Sequence, residues 1–387
     1  MPQKHHILWL NTWFPDREDP YLGIFIQRQA EALASVCTDI PVWCLYIRPL
    51  KGITKTETDW IVNNNYNQIC YYYPDNHPNW VRKVMRIYHS AKALQIIYQK
   101  GCRPTWIQVN VTGPWAIIAV LLKVIFQAKL FWFEHWSGFL PEDGRYLQGE
   151  TRWNTWILKT FADGIGAVST LLAESLPKAK HPNQVEIISN VVDPAFFIPS
   201  LRRPIPELPH RFAHISNYVP KKNTQKILDA LLILSSRTTD FKFIFYGKPV
   251  KQKEDLERQV RLAGLSSCIA FVPELPAPEL AQEMQGLTAL VQFSIHETQG
   301  VVILEAWSMG IPVILTPKTG AGYYGKPGRS WCISPDDPQA LANLLEEIIL
   351  NKQKTDNPEE MAQFAYENFS PSIIGQKFLN WYKSFKA

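Results

Sequence analysis

The chain has 387 residues, more than one hydrophobic core usually serves, so two domains are expected. Lys and Arg number 40 against 35 Asp and Glu; a formal charge of +5 is too slight to indicate nucleic acid and suits small polyanions or an anionic membrane surface. With 46% hydrophobic and 19% charged residues the composition is that of a soluble globular protein, and the longest apolar stretch, Trp115 to Phe133, is interrupted by Lys123, Gln127 and Lys129, which reads as a buried helix and strand rather than a membrane span. The six cysteines (Cys37, Cys44, Cys70, Cys102, Cys268 and Cys332) include no Cys-x-x-Cys pair. Buried, reduced thiols in a cytosolic protein are therefore expected, rather than a metal cluster or a disulfide framework. His5 and His6 run directly into a strand, without the apolar region of a signal peptide.

In chain order, His6 to Leu10 predicts a buried parallel strand that ends in the loop Asn11-Thr-Trp-Phe-Pro. Gly23 to Ser35 predicts a helix, with apolar positions at Ile24, Ile26, Ala30, Leu33 and Ala34. A strand over Ile40 to Ile47, a helix over Trp80 to Gln99, a strand over Trp106 to Val109, a helix over Pro114 to Phe126 and a strand over Lys129 to Phe133 continue the alternation. Strands alternating with helices predict a parallel α/β sheet. The segment Ile198 to Arg211, with Pro199, Pro204, Pro206 and Pro209, predicts a linker that divides a first domain, 1–197, from a second, 212–369. In the second, strands are predicted over Arg211 to Ile215, Phe241 to Tyr246, Ile269 to Val272, Ala289 to Phe293 and Pro312 to Leu315, with helices over Asn223 to Ser235, Lys253 to Ala263, Ala277 to Gln285 and Gly300 to Ser308. Residues 370–387 are expected to form an aromatic-rich helix that packs back on the first domain. Two such α/β halves place a ligand cleft at the facing C-terminal strand edges.

The pattern richest in chemistry is Glu297-Thr-Gln-Gly-Val-Val-Ile-Leu-Glu305, directly after a strand. It puts one carboxylate in a loop and a second in the opening turns of an apolar helix that Gly300 begins. The free N–H groups at Thr298, Gln299, Gly300 and Val301, together with the helix dipole, form an anion site suited to a diphosphate. The two carboxylates can accept from sugar and ribose hydroxyls. The plain structural alternative is a loop Glu followed by a Glu that merely favours the dipole.

This segment resembles the Glu-x7-Glu motif of retaining glycosyltransferases of family 4, bacterial enzymes of polysaccharide and lipopolysaccharide type. Other segments are similar in the same order. They are Asn11-Thr-Trp-Phe-Pro with Gly23-Ile-Phe-Ile-Gln-Arg-Gln-Ala, Phe133-Glu-His135-Trp-Ser-Gly138, Ile188-Ser-Asn190-Val-Val-Asp193 with Phe196, and Ile215 to Asn223. The resemblance implies the GT-B fold, in which two Rossmann-like doubly wound domains face a cleft. It implies metal-independent transfer of a sugar, with retention, from a nucleotide-sugar to a hydroxyl of a glycan or lipid-linked acceptor.

It also implies roles for individual residues. Glu305 would bind the donor ribose, and Glu297 with the Thr298 to Val301 backbone would hold the transferred sugar and the phosphates. Lys222 would neutralise the leaving diphosphate, Gly23 would let the first loop approach closely, and His135 would hydrogen-bond the donor sugar. Asn190, Ser216, Asn217, Gly247 and Val272 complete the expected donor-binding set. No cofactor, metal ion or nucleic acid is expected. One departure is that Asn217 stands where the family carries an Arg, and an Asn brings no charge. Lys248 is a candidate substitute cation.

Gly320-Ala-Gly322-Tyr-Tyr-Gly325 matches the spacing of a dinucleotide loop, but Lys-Pro-Gly follows at once where a helix should open. No Asp-x-Asp occurs, the pair that commonly holds a metal on a sugar-nucleotide diphosphate. Another GT-B enzyme, such as an epimerase or an inverting transferase, and a non-catalytic nucleotide-sugar-binding subunit are the alternatives. The helix from Trp80 carries Arg82, Lys83 and Arg86 close together. They are either a solvated face, with Val84, Ile87 and Ala91 toward the core, or a contact for an anionic membrane on the inner face of the cytoplasmic membrane.

Overall fold

The computed structural model describes residues 5–76, 78–178, 184–197, 209–248 and 250–385, and the chain divides into two compact units. The first comprises residues 1–191 and 371–387. Its elements are β1 (Ile7–Asn11), α1 (Ile24–Val36), β2 (Val42–Leu50), β3 (Glu57–Asn63), β4 (Tyr66–Pro74), α2 (Asn79–Gln99), β5 (Trp106–Asn110), α3 (Ala116–Phe126), β6 (Lys129–Glu134), α4 (Gly149–Phe161), β7 (Gly164–Ala167), α5 (Thr170–Ser175) and β8 (Glu186–Ile187). The strands form one sheet in the order β3-β4-β2-β1-β5-β6-β7-β8, parallel except for the β3–β4 pair. β1 and β5 are buried along their whole length, as parallel strands covered on both faces must be.

The second unit, residues 192–370, is an all-parallel six-stranded sheet. It is built from β9 (His210–Ile215), α6 (Thr224–Ser235), β10 (Phe241–Tyr246), α7 (Lys251–Leu262), β11 (Ile269–Val272), α8 (Ala277–Met284), β12 (Ala289–Gln292), α9 (Val301–Ser308), β13 (Val313–Leu315), β14 (Ser330–Cys332), α10 (Pro338–Ile349) and α11 (Pro358–Phe369). The strand order is β11-β10-β9-β12-β13-β14. Two doubly wound sheets are the expected α/β, GT-B-like architecture.

The last helix, α12 (Pro371–Ser384), belongs to the first unit and packs on α1. Gly375 permits this, since a Cβ there would lie 2.1 Å from the Ala32 carbonyl oxygen. Phe378, Trp381 and Tyr382 pack against Phe131 and Phe133 of β6. The buried Tyr382 hydroxyl donates to Gln108 at 2.6 Å and accepts from the Trp9 indole at 2.9 Å, so a polar atom inside the core is satisfied on both sides.

The β3–β4 hairpin was not anticipated, and neither were α4, β7, α5, β8, β14, α10 and α11. β7 reads Gly-Ile-Gly-Ala, with Ile165 its single branched residue; both glycines are required by rings, because a Cβ at Gly164 would meet the Phe131 ring at 2.6 Å and one at Gly166 the Phe133 ring at the same distance. Of the expected linker, residues 198–208 lie outside the described residues. Five cysteines are buried as expected; Cys332, at the sheet edge on β14, is exposed. Where the Gly320 motif stands, a short 3-10 helix, Gly320–Tyr324, forms in place of a nucleotide-binding α-helix.

Candidate functional site

In the second unit, two loops at the C-terminal ends of β9 and β12 meet. After β9 the chain turns through Tyr218 and Asn223, both left-handed, around a 3-10 turn over Pro220–Lys222. After β12 the segment 294–300 runs to α9. The Ile295 amide donates to the Lys221 carbonyl at 2.8 Å, which ties the two loops together. The Glu297 amide donates to Lys318 and its carbonyl accepts from Gly320, so a third loop fixes the same segment.

This scaffold brings Lys222 and Glu297 into a buried ion pair, in which the ammonium donates to Oε1. Ser294 and Gln292 donate to the same oxygen, at 3.0 and 3.2 Å. Oε2 takes no hydrogen bond from the described residues. Burial pushes the Glu297 carboxyl up, but the Lys222 charge, its hydrogen bond, Lys221 and the Ser294 hydroxyl together hold it below the ordinary value. The group is a carboxylate with one oxygen saturated and one open.

Gly300 caps α9 in the left-handed region, at φ 82°, and contributes no side chain. The first N–H groups of the helix have no partner within it, which makes this end an anion acceptor. Gln299 is wholly buried, and its carbonyl accepts from the Ala321 amide at 2.9 Å, while Thr298 and Val301 flank it. Glu305 is buried in the second turn of α9.

Ser216, Gly247 and Val272 form the neighbouring strand edge. The Ser216 amide donates to Tyr246 and the Gly247 amide to Val272, at 3.0 and 3.1 Å. A Cβ on Gly247 would lie 1.9 Å from the Ser216 carbonyl oxygen, so only glycine fits. The Ser216 hydroxyl accepts from the Tyr218 amide and donates to His214 Nε2, while His214 Nδ1 donates to the Val291 carbonyl. Burial lowers the His214 pKa to about 4, which keeps the ring neutral in this arrangement. Asn217 is exposed and makes no hydrogen bond, and Lys248 lies 3.8 Å from Glu274, so neither joins the Lys222–Glu297 pair.

The first unit gathers Gly23, His135 and Asn190. Gly23 caps α1 at φ 67°, and a Cβ there would lie 2.7 Å from the Trp13 backbone. His135 is buried between Phe25 and Phe133, with ring centres at 4.9 and 5.1 Å. Burial lowers its pKa to about 3, with the Asn190 side chain acting in the opposite direction; neither ring nitrogen reaches a partner at full hydrogen-bond geometry. Burial thus keeps the His135 ring neutral, with Asn190 beside it.

Sequence reasoning assigned no role to two residues that build this part of the first unit. Gln29, wholly buried on α1, donates to the Ser189 carbonyl at 3.1 Å and to the Asn190 side chain at 3.4 Å. Glu134, at the end of β6, accepts from the Thr112 amide and hydroxyl, the Trp132 indole and the amides of His135 and Trp136. It locks the backbone on which His135 stands. Both lie within motifs that the resemblance had already marked. Among the described residues no group of three His, Cys, Asp or Glu side chains is placed to hold a metal ion.

Comparison with known proteins bears on the fold and on the second unit. Residues 202–368 match the family Glycosyl transferases group 1. The D-inositol 3-phosphate glycosyltransferase of Paenarthrobacter aurescens is 27% identical over 249 residues, which cover 60% of this chain and 59% of that protein. The 2-deoxystreptamine glucosyltransferase of Streptomyces kanamyceticus is 26% identical over 189 residues, 48% of this chain and 47% of that one. The alignments thus span less than two thirds of these relatives. The fold is shared more widely. Anabaena Alr3699/HepE, solved with UDP and glucose, superposes with a TM-score of 0.71 at 16% identity, covering 99% of this chain and 100% of its own. Sucrose-phosphate synthase from Thermosynechococcus elongatus superposes with a TM-score of 0.72 at 17% identity, covering 99% of each chain. Residues 202–368, most of the second unit, thus match the glycosyl transferases group 1 model, and the whole chain shares the fold of these two solved structures.

Proposed function

We propose that this chain transfers a sugar from a nucleotide-sugar, without a metal ion, to a hydroxyl of a glycan or lipid-linked acceptor, with retention at the anomeric carbon. The observation that carries the reading is the Lys222–Glu297 pair at the start of α9. It sets a cation and a carboxylate beside the opening turn of a helix, as a diphosphate joined to a sugar requires. A UDP-linked donor is the first to test, since Alr3699/HepE was solved with UDP and glucose.

The demanding event is departure of the nucleoside diphosphate. The bond from the anomeric carbon to the phosphate oxygen breaks, the acceptor oxygen bonds to that carbon, and its proton passes to the departing phosphate. Negative charge grows on the phosphate, so preorganised donors there supply the largest part of the catalysis. Lys222 and the amides of Thr298, Gln299, Gly300 and Val301 fill that role. Glu297 Oε2 accepts from hydroxyls of the transferred sugar, and Glu305 accepts from the ribose. His135, a neutral ring, donates to the donor sugar. Ser216, Gly247 and Val272 form the floor beside the nucleotide.

Purified protein should be assayed for transfer and for donor hydrolysis with a panel of UDP- and GDP-sugars. Glu297→Gln and Glu305→Gln should each lower turnover or donor affinity by an amount corresponding to ~1.5–3 kcal/mol, the usual loss of hydrogen bonds to a charged group, while both variants stay folded. Undiminished turnover in both, or the absence of any thermal shift with every donor, would overturn the reading.

A further inference from the structure

Helices α2, α3 and α4 are the crossovers β4–β5, β5–β6 and β6–β7, which all run the same way along the sheet and therefore cover the same face. They form one continuous layer. Arg86 and Lys83 of α2 pair with Glu150 of α4, Tyr98 of α2 contacts Phe126 of α3, and Lys123 of α3 pairs with Asp163 just beyond α4.

The outer side of this layer is not a normal polar surface. On α3 the outward positions are Ile117, Leu121, Val124 and Ile125, spaced four, three and one apart, and the last two are 71% and 69% exposed. On α4, Trp153 and Trp156 stand together, 68% and 51% exposed, with ring centres 6.4 Å apart. Val84 and Ile87 of α2, which the solvated-face reading turned toward the core, point outward as well. Each such residue costs free energy in water, and a contiguous face of them marks an interaction surface.

The charges around this face indicate its occupant. The three helices carry Arg82, Lys83, Arg86, Lys92, Lys123, Arg152 and Lys159 against the single acid Glu150. Off the helices, Asp75 pairs with Arg82 and Asp163 with Lys123, which still leaves a basic excess. A second copy of the chain would bring the same basic face against itself, which is repulsive. Exposed tryptophans among aliphatics, rimmed by Lys and Arg, fit the boundary between lipid headgroups and acyl chains.

We propose that the α3–α4 face docks the first unit on an anionic lipid bilayer, with Trp153, Trp156, Leu121 and Ile125 entering the interface. Arg152, Lys159 and the α2 cations lie along the headgroups. The trio Arg82, Lys83 and Arg86 alone is a weaker anchor than the sequence suggests, because Asp75 and Glu150 partly neutralise it. Docking of this kind is independent of the sugar chemistry and would persist in a protein that uses a soluble acceptor.

The test is flotation of the full chain with vesicles of phosphatidylcholine, with and without phosphatidylglycerol, at low and high salt. Wild type should float with the anionic vesicles at low salt and much less with phosphatidylcholine alone. Trp153→Ser combined with Trp156→Ser should reduce the floated fraction about tenfold, from the loss of buried apolar area. Arg152→Ser with Lys159→Ser is the second variant; it should float less and lose the salt dependence. Arg258→Ser, on α7 of the second unit, should float as wild type does. Circular dichroism and melting confirm that each variant is folded. The proposal fails if wild type stays soluble with anionic vesicles, or if both double variants float like wild type. It also fails if sedimentation shows a wild-type dimer that the tryptophan variant dissociates, since the face would then belong to a second copy.

Discussion

Asn217 is exposed and makes no hydrogen bond, on the loop that leads to Lys222. Asn217→Arg should therefore fold normally, with a stability change within about 0.5 kcal/mol, as for most surface substitutions. It should preserve or raise turnover with the native donor by adding positive charge beside the departing phosphate. A large loss of donor binding, read by titration calorimetry, would show that Asn217 is itself a fitted part of the pocket. The ion pair is a different case. Removing Lys222 leaves Glu297 buried with only Ser294 and Gln292 on it, so its loss would combine structural and chemical effects. Glu297→Gln is the cleaner probe.

At the scale of elements, the proposed donor site depends on loops held at fixed separation by backbone contacts. The end of β10 touches the end of β9 so closely that Gly247 admits no side chain. Gly247→Ala must move either the Ser216 carbonyl or its own strand, with overpacking costs of about 1–3 kcal/mol. We expect a lower denaturation midpoint and weaker donor binding together, because the shift displaces Ser216 and the turn that carries Lys222. Unchanged donor affinity at a lowered midpoint would separate that strand edge from the donor site. In the first unit Glu134 plays a comparable part. Its five hydrogen bonds set the β6 exit, and with it the His135 backbone.

For the molecule as a whole, the proposed function leaves the charge of the diphosphate to protein groups, Lys222 and the start of α9, and no Asp-x-Asp occurs in the chain. Transfer should therefore survive excess EDTA. Loss of activity on chelation, restored by magnesium or manganese, would show that the phosphate site is built differently.

The sequence by itself determined the alternation of strands and helices, the two α/β sheets and the segment Glu297 to Glu305. Each depends on local rules: apolar runs for buried parallel strands, and a glycine that opens a helix after a loop carboxylate. Other features came only from tertiary structure. Gln29 meets Asn190 across 161 positions, and no periodicity encodes that contact. The glycines of β7 look like strand breakers until the rings of Phe131 and Phe133 occupy the space beside them. The apolar face of α3 reads in sequence like that of a helix bound for a core, and α4 was not read at all. Folding the three crossovers onto one side of the sheet leaves those faces outward, because a helix on a sheet can bury only one side of itself against that sheet.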